Sequence, residues 1–244
     1  MDSVGAFICC ASDGVRSVLR AKVRNFRPSV FTLKRCAMPV WMLLPLLWIS
    51  GRNTPDALTY PGLDTTQWIE ISRVEPGILL DLRYATEHNF VQEKMYDCGR
   101  CLLRKEVGLA VIQVHKQLCK QGLGLKMFDC YRPRPVQWRL WKKVPDPRYV
   151  ADPRKGSMHN RGSAVDLTIV DAKGKELDMG TGYDFFGPEA YHNYMKLPEK
   201  TLANRRLLKT TMENLGFRPT STEWWHYSYR LKSFPLSDMM WDCP

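Results

Sequence analysis

Between Leu103 and Gln121, apolar residues recur at Val107, Ala110, Val111, Val114 and Leu118. Spacings of three and four place them on one stripe of an amphipathic helix, and Gly122 is a natural stop. Lys200 to Leu215 carries a second helical pattern, closed by Gly216. Val136 to Trp141 predicts a shorter helical turn. Four stretches read as strands: Ile78 to Tyr84, which follows the punctuation Glu75-Pro76-Gly77, then Leu125 to Asp129, Ala164 to Val170, and the aromatic-rich Trp224 to Leu231. Ala172-Lys173-Gly174-Lys175 reads as a turn after the third. Helices and strands mix without regular βαβ alternation, and there is no internal repeat. The pattern predicts an α+β fold, a mixed or antiparallel sheet flanked by helices, rather than a doubly wound sheet.

The periodic body starts near Gln67, and a different kind of chain precedes it. Lys34 and Arg35 lead into the apolar block Val40 to Ile49, followed by Ser50 and Gly51. That block is ten residues long and is interrupted by Pro45, whereas a membrane span needs about 20 apolar residues. A basic flank, a short apolar core and small residues make the order of a secretory signal peptide. An N-terminal membrane anchor, a true start nearer Met38, or a transit peptide over residues 12–35 are the competing readings. No Cys directly follows the block, so a lipoprotein cleavage box is absent. The expected organisation is a leader over 1–50, a Pro/Gly-rich linker over 51–66 and one domain over 67–244. Export to the periplasm or outside the cell is the corresponding expectation, with the cytoplasm as the alternative.

Composition narrows the class. With 44% hydrophobic and 25% charged residues in 244, a disordered or collagen-like chain is excluded. Net charge is +11, but residues 1–55 carry eight basic residues against two acidic ones. The body is therefore only mildly basic, and basic residues do not interleave with its Trp residues, which argues against a nucleic-acid partner. Of eight Cys, five (Cys98, Cys101, Cys119, Cys130 and Cys243) lie in the body. Cys98-Gly-Arg-Cys101 is a CxxC with no second CxxC to complete a zinc site. A local Cys98–Cys101 disulfide, two buried thiols, or less plausibly a redox pair are the readings it leaves.

The chemistry concentrates in two segments. In Ser157-Met158-His159-Asn160-Arg161-Gly162-Ser163-Ala164-Val165-Asp166, a His and an Asp lie seven apart where loop becomes strand. In a flat strand they would face opposite ways; Gly162 permits a bend that unites them. In Glu223-Trp224-Trp225-His226, an acid stands three residues before a His. Taken singly, each pair reads more often as a structural hydrogen bond or a surface pair. Together, His159, Asp166 and His226 form a three-ligand zinc set that leaves a position for water, and Glu223 can act as base and then acid. No Cys is in the set, as suits a catalytic zinc. The remaining His residues have blander readings: His115 on the long helix as structural or exposed, His88 in a loop, and His192 in a Tyr-rich turn.

These residues sit in a longer series: Leu82-Arg83-Tyr84-Ala85-Thr86, Asn89-Phe90, Asp129-Cys130-Tyr131-Arg132-Pro133, Ser157 to Thr168, Met179-Gly180-Thr181-Gly182-Tyr183-Asp184-Phe185, Asn204-Arg205-Arg206, Met212-Glu213-Asn214 and Glu223-Trp224-Trp225-His226-Tyr227. In that order and spacing, over roughly residues 67–235, the chain resembles the zinc D-alanyl-D-alanine dipeptidases. They belong to the wider zinc D,D-peptidase group, whose fold is shared with the hedgehog signalling domain. The resemblance implies one zinc ion per chain on His159, Asp166 and His226, and Glu223 as the general base. It assigns Arg132 to the oxyanion of the tetrahedral intermediate, Asp184 and Tyr84 to the substrate's free amine, and Ser157 to substrate near the metal His. A guanidinium, always charged, suits developing negative charge. The substrate implied is a small dipeptide. A D,D-carboxypeptidase or endopeptidase on peptidoglycan stem peptides, and a noncatalytic binding module, are the alternatives. Two features depart from the family pattern: the CxxC with Cys130, and a segment 146–156 that looks short, which bears on substrate range. Oligomeric state is not legible.

Overall fold

The computed structural model describes residues 63–243; the leader and nearly all of the linker expected over 1–66 lie outside them. Strand β1 (Trp68–Glu70) runs into a single helical turn α1 (Ile71–Val74). Then come β2 (Leu79–Leu80), β3 (Leu102–Arg104), α2 (Lys105–Cys119) and β4 (Leu123–Asp129). Helix α3 (Arg134–Lys143), β5 (Ala164–Asp171), α4 (Glu199–Glu213), β6 (Phe217–Thr220) and β7 (Glu223–Tyr229) complete the order. Five strands form one sheet in the order β2-β4-β5-β7-β6, while β1 and β3 make a separate antiparallel pair. Within the five, β2 lies parallel to β4 and every other pair is antiparallel. The expected α+β class with a mixed sheet is therefore observed.

The central strand explains why the sheet holds together. Residues 164–170 are all buried, so β5 is covered on both faces, and apolar residues fill it except at Asp166 and Thr168. Helix α2 packs along β4, and α4 along β5, β6 and β7. The predicted stripe supplies the contact: Val107, Val111, Val114 and Leu118 are wholly buried in the core with Leu125, Met127, Leu167, Ile169, Leu208 and Met212. Among the described residues, no helix is long and apolar enough to cross a membrane.

Two expectations need correction. The strand read over Ile78 to Tyr84 shrinks to Leu79–Leu80, because Arg83–Ala85 tightens into a 3-10 turn that sinks Tyr84 into the interior. The local Cys98–Cys101 bridge does not form. Cys101 faces inward beside β3 and bonds Cys130, while half-buried Cys98 bonds Cys243 at the end of the C-terminal segment. That segment, residues 230–243, has no helix or strand and is strapped down by contacts. Ser237 N donates to the Asn160 carbonyl (2.9 Å), Arg161 Nη1 to that of Phe234 (2.8 Å), and the Trp241 ring packs on Tyr96 and Tyr131.

The bend expected at Gly162 is present. His159–Arg161 forms a 3-10 turn ending at Gly162 with φ of 67°, in the left-handed region, and β5 starts two residues later. A Cβ there would lie 2.4 Å from a Trp68 ring carbon. Gly162→Ala should therefore cost about 2 kcal/mol or more, combining left-handed strain with overpacking. A clear drop in the urea midpoint is expected; an unchanged midpoint would contradict the tight fit.

Candidate metal centre

The register of the sheet builds the site. Asp166 on β5 pairs with His226 on β7 on one side and with Asp129 on β4 on the other. Directly opposed residues share a face, so three chemically active side chains converge across three strands. The turn before β5 adds His159.

His159 Nδ1 lies 2.7 Å from the Cys130 carbonyl oxygen. A carbonyl only accepts, so Nδ1 carries the proton and Nε2 presents a lone pair. That Nε2 is 3.2 Å from His226 Nδ1 and 3.4 Å from Asp166 Oδ1. His226 Nδ1 stands 2.9 Å from the same oxygen, and its Nε2 faces Ser228 Oγ at 3.2 Å. The Tyr183 hydroxyl donates to Asp166 Oδ2 at 2.9 Å. Three electron-pair donors thus point at one another, while the other polar atom of each ligand has its own partner. Metal bonds of about 2.0–2.1 Å in a tetrahedron need donor separations of about 3.3 Å, and 2.9, 3.2 and 3.4 Å bracket that value. The set fits a divalent cation with one vertex left open.

Burial alone would raise the Asp166 carboxyl, but His159 and His226 overcome it and hold it well below the usual carboxylate range. Burial would lower the His159 imidazole, and Asp166 more than reverses this. Glu223, at the start of β7, has Oε2 at 3.9 Å from His226 Nδ1. Its own burial pushes its carboxyl upward.

Arg132 is buried beside this cluster. Its Nε and Nη2 donate to Asp129 Oδ2 (3.0 and 2.6 Å), Nη1 donates to Gln137 Oε1 (3.0 Å), and the guanidinium lies 4.7 Å from the centre of the Tyr84 ring. Burial opposes its charge, but Asp129 outweighs that effect. Asp129 is held in turn by the Tyr96 hydroxyl, 2.8 Å from Oδ1. With five N–H donors, the guanidinium keeps one N–H on each terminal nitrogen unspent.

Tyr84 and Asp184 also meet: the phenol donates to Asp184 Oδ2 at 3.2 Å. Asp184 has φ of 58°, a left-handed conformation. Burial lifts its carboxyl well above the ordinary range, and Asp166 adds to the effect. Its loop is clamped by α4. Arg205 donates to the carbonyls of Met179, Tyr191 and Glu189, and Asn204 to that of Asp178. A cavity of about 710 Å³ opens beside Asp184, with Arg83, His88, Asn89, Phe90 and Tyr183 in its walls. Ser157 is engaged within the turn that presents His159: its Oγ accepts from Asn160 N, and its N donates to Asn160 Oδ1. His115 is buried and accepts from Leu125 N. Burial draws His192 down to about 4, and its ring meets Tyr227 edge-on.

Several supporting residues had no assigned role in the sequence. Asp129 and Tyr183 stand inside motifs that could have flagged them. Tyr96 and Gln137 carry no such signal, since their partners are chosen only by packing.

A His-Asp-His set with His159 and Asp166 buried and His226 half-buried, flanked by a carboxylate and a guanidinium, defines a mononuclear metallohydrolase type of site. The family described as D-ala-D-ala dipeptidase matches residues 64–240, and the chain belongs to that family. Several curated relatives carry the name D-alanyl-D-alanine dipeptidase. The one from Escherichia coli (strain K12) is 36% identical over 181 residues, covering 74% of this chain and 94% of the relative. That from Enterococcus faecium is 31% identical over 191 residues, covering 68% and 93%. That from Streptomyces coelicolor is 33% identical over 198 residues, covering 71% and 96%.

The Tyr183 hydroxyl fixes which Asp166 oxygen is left for a metal. Tyr183→Phe should weaken divalent-metal affinity by about tenfold, the usual effect of losing a partner behind a ligand. Competition with a chromophoric chelator would measure it; equal affinities would remove Tyr183 from the site.

Proposed function

We propose that this chain is a zinc-dependent dipeptidase that hydrolyses D-alanyl-D-alanine to D-alanine. One observation carries the reading: the three-donor cluster and the buried Asp184–Tyr84 pair flank one Arg132 side chain. Such a layout suits a substrate with a free amine at one end and a scissile carbonyl at the other.

His159, Asp166 and His226 would hold the zinc. When bound, it would supply a Lewis acid and lower the pKa of water toward neutrality. Glu223 takes the proton of the attacking water and returns it to the leaving amine. A carboxyl raised by burial suits that double duty, because its proton affinity lies nearer the working pH. The unspent N–H groups of Arg132 face the oxygen on which charge develops, and Asp129 and Gln137 keep them aimed. Asp184 and Tyr84 receive the substrate amine. The buried Asp184 carboxyl is costly to ionise alone, and an ammonium partner offsets that cost. Ser157 stands two residues before the metal His159, and its hydroxyl, which accepts from Asn160 N, still has a proton to offer substrate.

Export would bring this chemistry to cell-wall peptides, and the Cys98–Cys243 and Cys101–Cys130 disulfides favour it, since such bridges persist in oxidising compartments. We propose the periplasm or the cell exterior as its compartment, with the leader over 1–50 removed and the cytoplasm as the alternative. Mass measurement of the mature protein from a fractionated cell would check this; an intact N-terminus in the cytosol would reverse it.

Purified protein with zinc should release D-alanine from the dipeptide, and a chelator should stop it. Glu223→Ala should lower kcat by about 10²–10⁴, the range for losing a general acid–base, while zinc stays bound. Full activity in that variant would remove Glu223 from the role. Asp184→Asn should act chiefly on KM for the dipeptide. A wild-type preference for a stem pentapeptide would instead establish the carboxypeptidase reading.

A further inference from the structure

Two disulfides that join described residues to each other occupy different places. Cys98–Cys243 joins a half-buried loop residue to an exposed residue at the end of the C-terminal segment. Cys101–Cys130 lies wholly in the core, its residues 0% and 1% exposed. Residues 130–133, between β4 and α3, have no regular secondary structure. Yet this stretch and its neighbour Asp129 carry three parts of the site: the Asp129 carboxylate that holds Arg132, the Cys130 carbonyl that receives the His159 proton, and Arg132 itself. A strand ladder does not fix this backbone, so other ties must.

Arg132 N donates to the His159 carbonyl at 3.2 Å and Asn160 Nδ2 to the Arg132 carbonyl at 2.7 Å, and the remaining ties lead to β3. The Leu102 carbonyl accepts from Tyr131 N at 2.9 Å, and Arg104 N donates to the Gly162 carbonyl at 3.0 Å. Thus β3 braces the chain on both sides of the His159–Cys130 contact, after Cys130 and after the His159 turn. The Cys101–Cys130 bond is the one covalent tie among these, made at the residue whose carbonyl meets His159. That carbonyl selects the His159 tautomer that leaves Nε2 free and directs the ring toward Asp166.

We propose that the Cys101–Cys130 disulfide is a positioning element of the metal centre. By fixing the Cys130 carbonyl against His159, it makes tight zinc binding depend on an intact bridge. Without the bond, the carbonyl is held only by neighbouring hydrogen bonds. The imidazole can then rotate or exchange tautomers, and the three donors lose their common focus. The inference rests on the proposed zinc ligands, and it concerns two cysteines at which the chain departs from the family pattern.

The test uses the full chain with two double substitutions, Cys101→Ala/Cys130→Ala and Cys98→Ala/Cys243→Ala. Zinc dissociation constants come from chelator competition, the absorption spectrum of the cobalt(II)-loaded protein reports ligand geometry, and thermal melting reports stability. The first variant should bind zinc about tenfold or more weakly, as expected when a ligand loses its support, with a changed cobalt spectrum at temperatures where it is folded. The second should melt earlier with zinc affinity and spectrum unchanged. Wild-type affinity in the first variant, or equal weakening in both, overturns the proposal by making the bridge a general staple. If the alanine pair does not fold, Cys101→Val/Cys130→Ala restores volume and is read the same way. Wild-type protein that binds no zinc would overturn the ligand assignment itself, and this inference with it.

Discussion

The structure depends on the antiparallel register that sets Asp166 opposite His226 on one side and Asp129 on the other. Side chains alternate along a strand, so a slip of one residue in β5 would send Asp166 to the other face of the sheet. The core forbids that slip. Val165, Leu167 and Ile169 are wholly buried on the face opposite Asp166, and the slip would drive the Asp166 carboxylate into the apolar core, away from His159 and His226. The packing that stabilises the sheet therefore also aims the ligands.

Much of the surrounding polarity is costly by itself. Arg132 and Asp129 form an ion pair with side chains only 10% and 1% exposed. Desolvation takes back much of the attraction in such a pair, so it is weak as a source of stability. Its merit is direction. Asp129 is held by Tyr96, Arg132 is held by Asp129 and Gln137, and Tyr84 lies against the guanidinium face. A charge fixed in this way needs no rearrangement when negative charge appears nearby, which is how preorganised groups lower barriers.

Support is strongest where regular structure is weakest. Residues 130–133, the His159 turn, the Asp184 loop and the C-terminal segment all lack long ladders of their own. Side chains donating to backbone carbonyls fill the gap: Asn160 to Arg132, Arg161 to Phe234, and Arg205 to three carbonyls of the Asp184 loop. Two disulfides add covalent ties at Cys98 and Cys130. Long polar side chains that satisfy buried carbonyls let irregular chain sit inside the protein without leaving its backbone groups unpaired.

The sequence by itself determined the elements whose signal repeats. Helices α2 and α4 span four turns each, long enough for their apolar stripes to be read, and the β-branched and apolar residues of Ala164 to Val170 mark a strand. Strands of two or three residues, β1, β2 and β3, have no period to detect, and β6 is broken by Pro219. Candidate ligands could be named because each lies near another chemically matched residue within a short segment. Tertiary structure alone decided what stands behind them. Tyr96 reaches Asp129 across 33 residues, Cys130 reaches Cys101 across 29, and Cys98 pairs across 145 while ignoring a Cys three positions away. Such partners are selected by which way each side chain leaves a packed backbone, and that direction exists only after the core has formed.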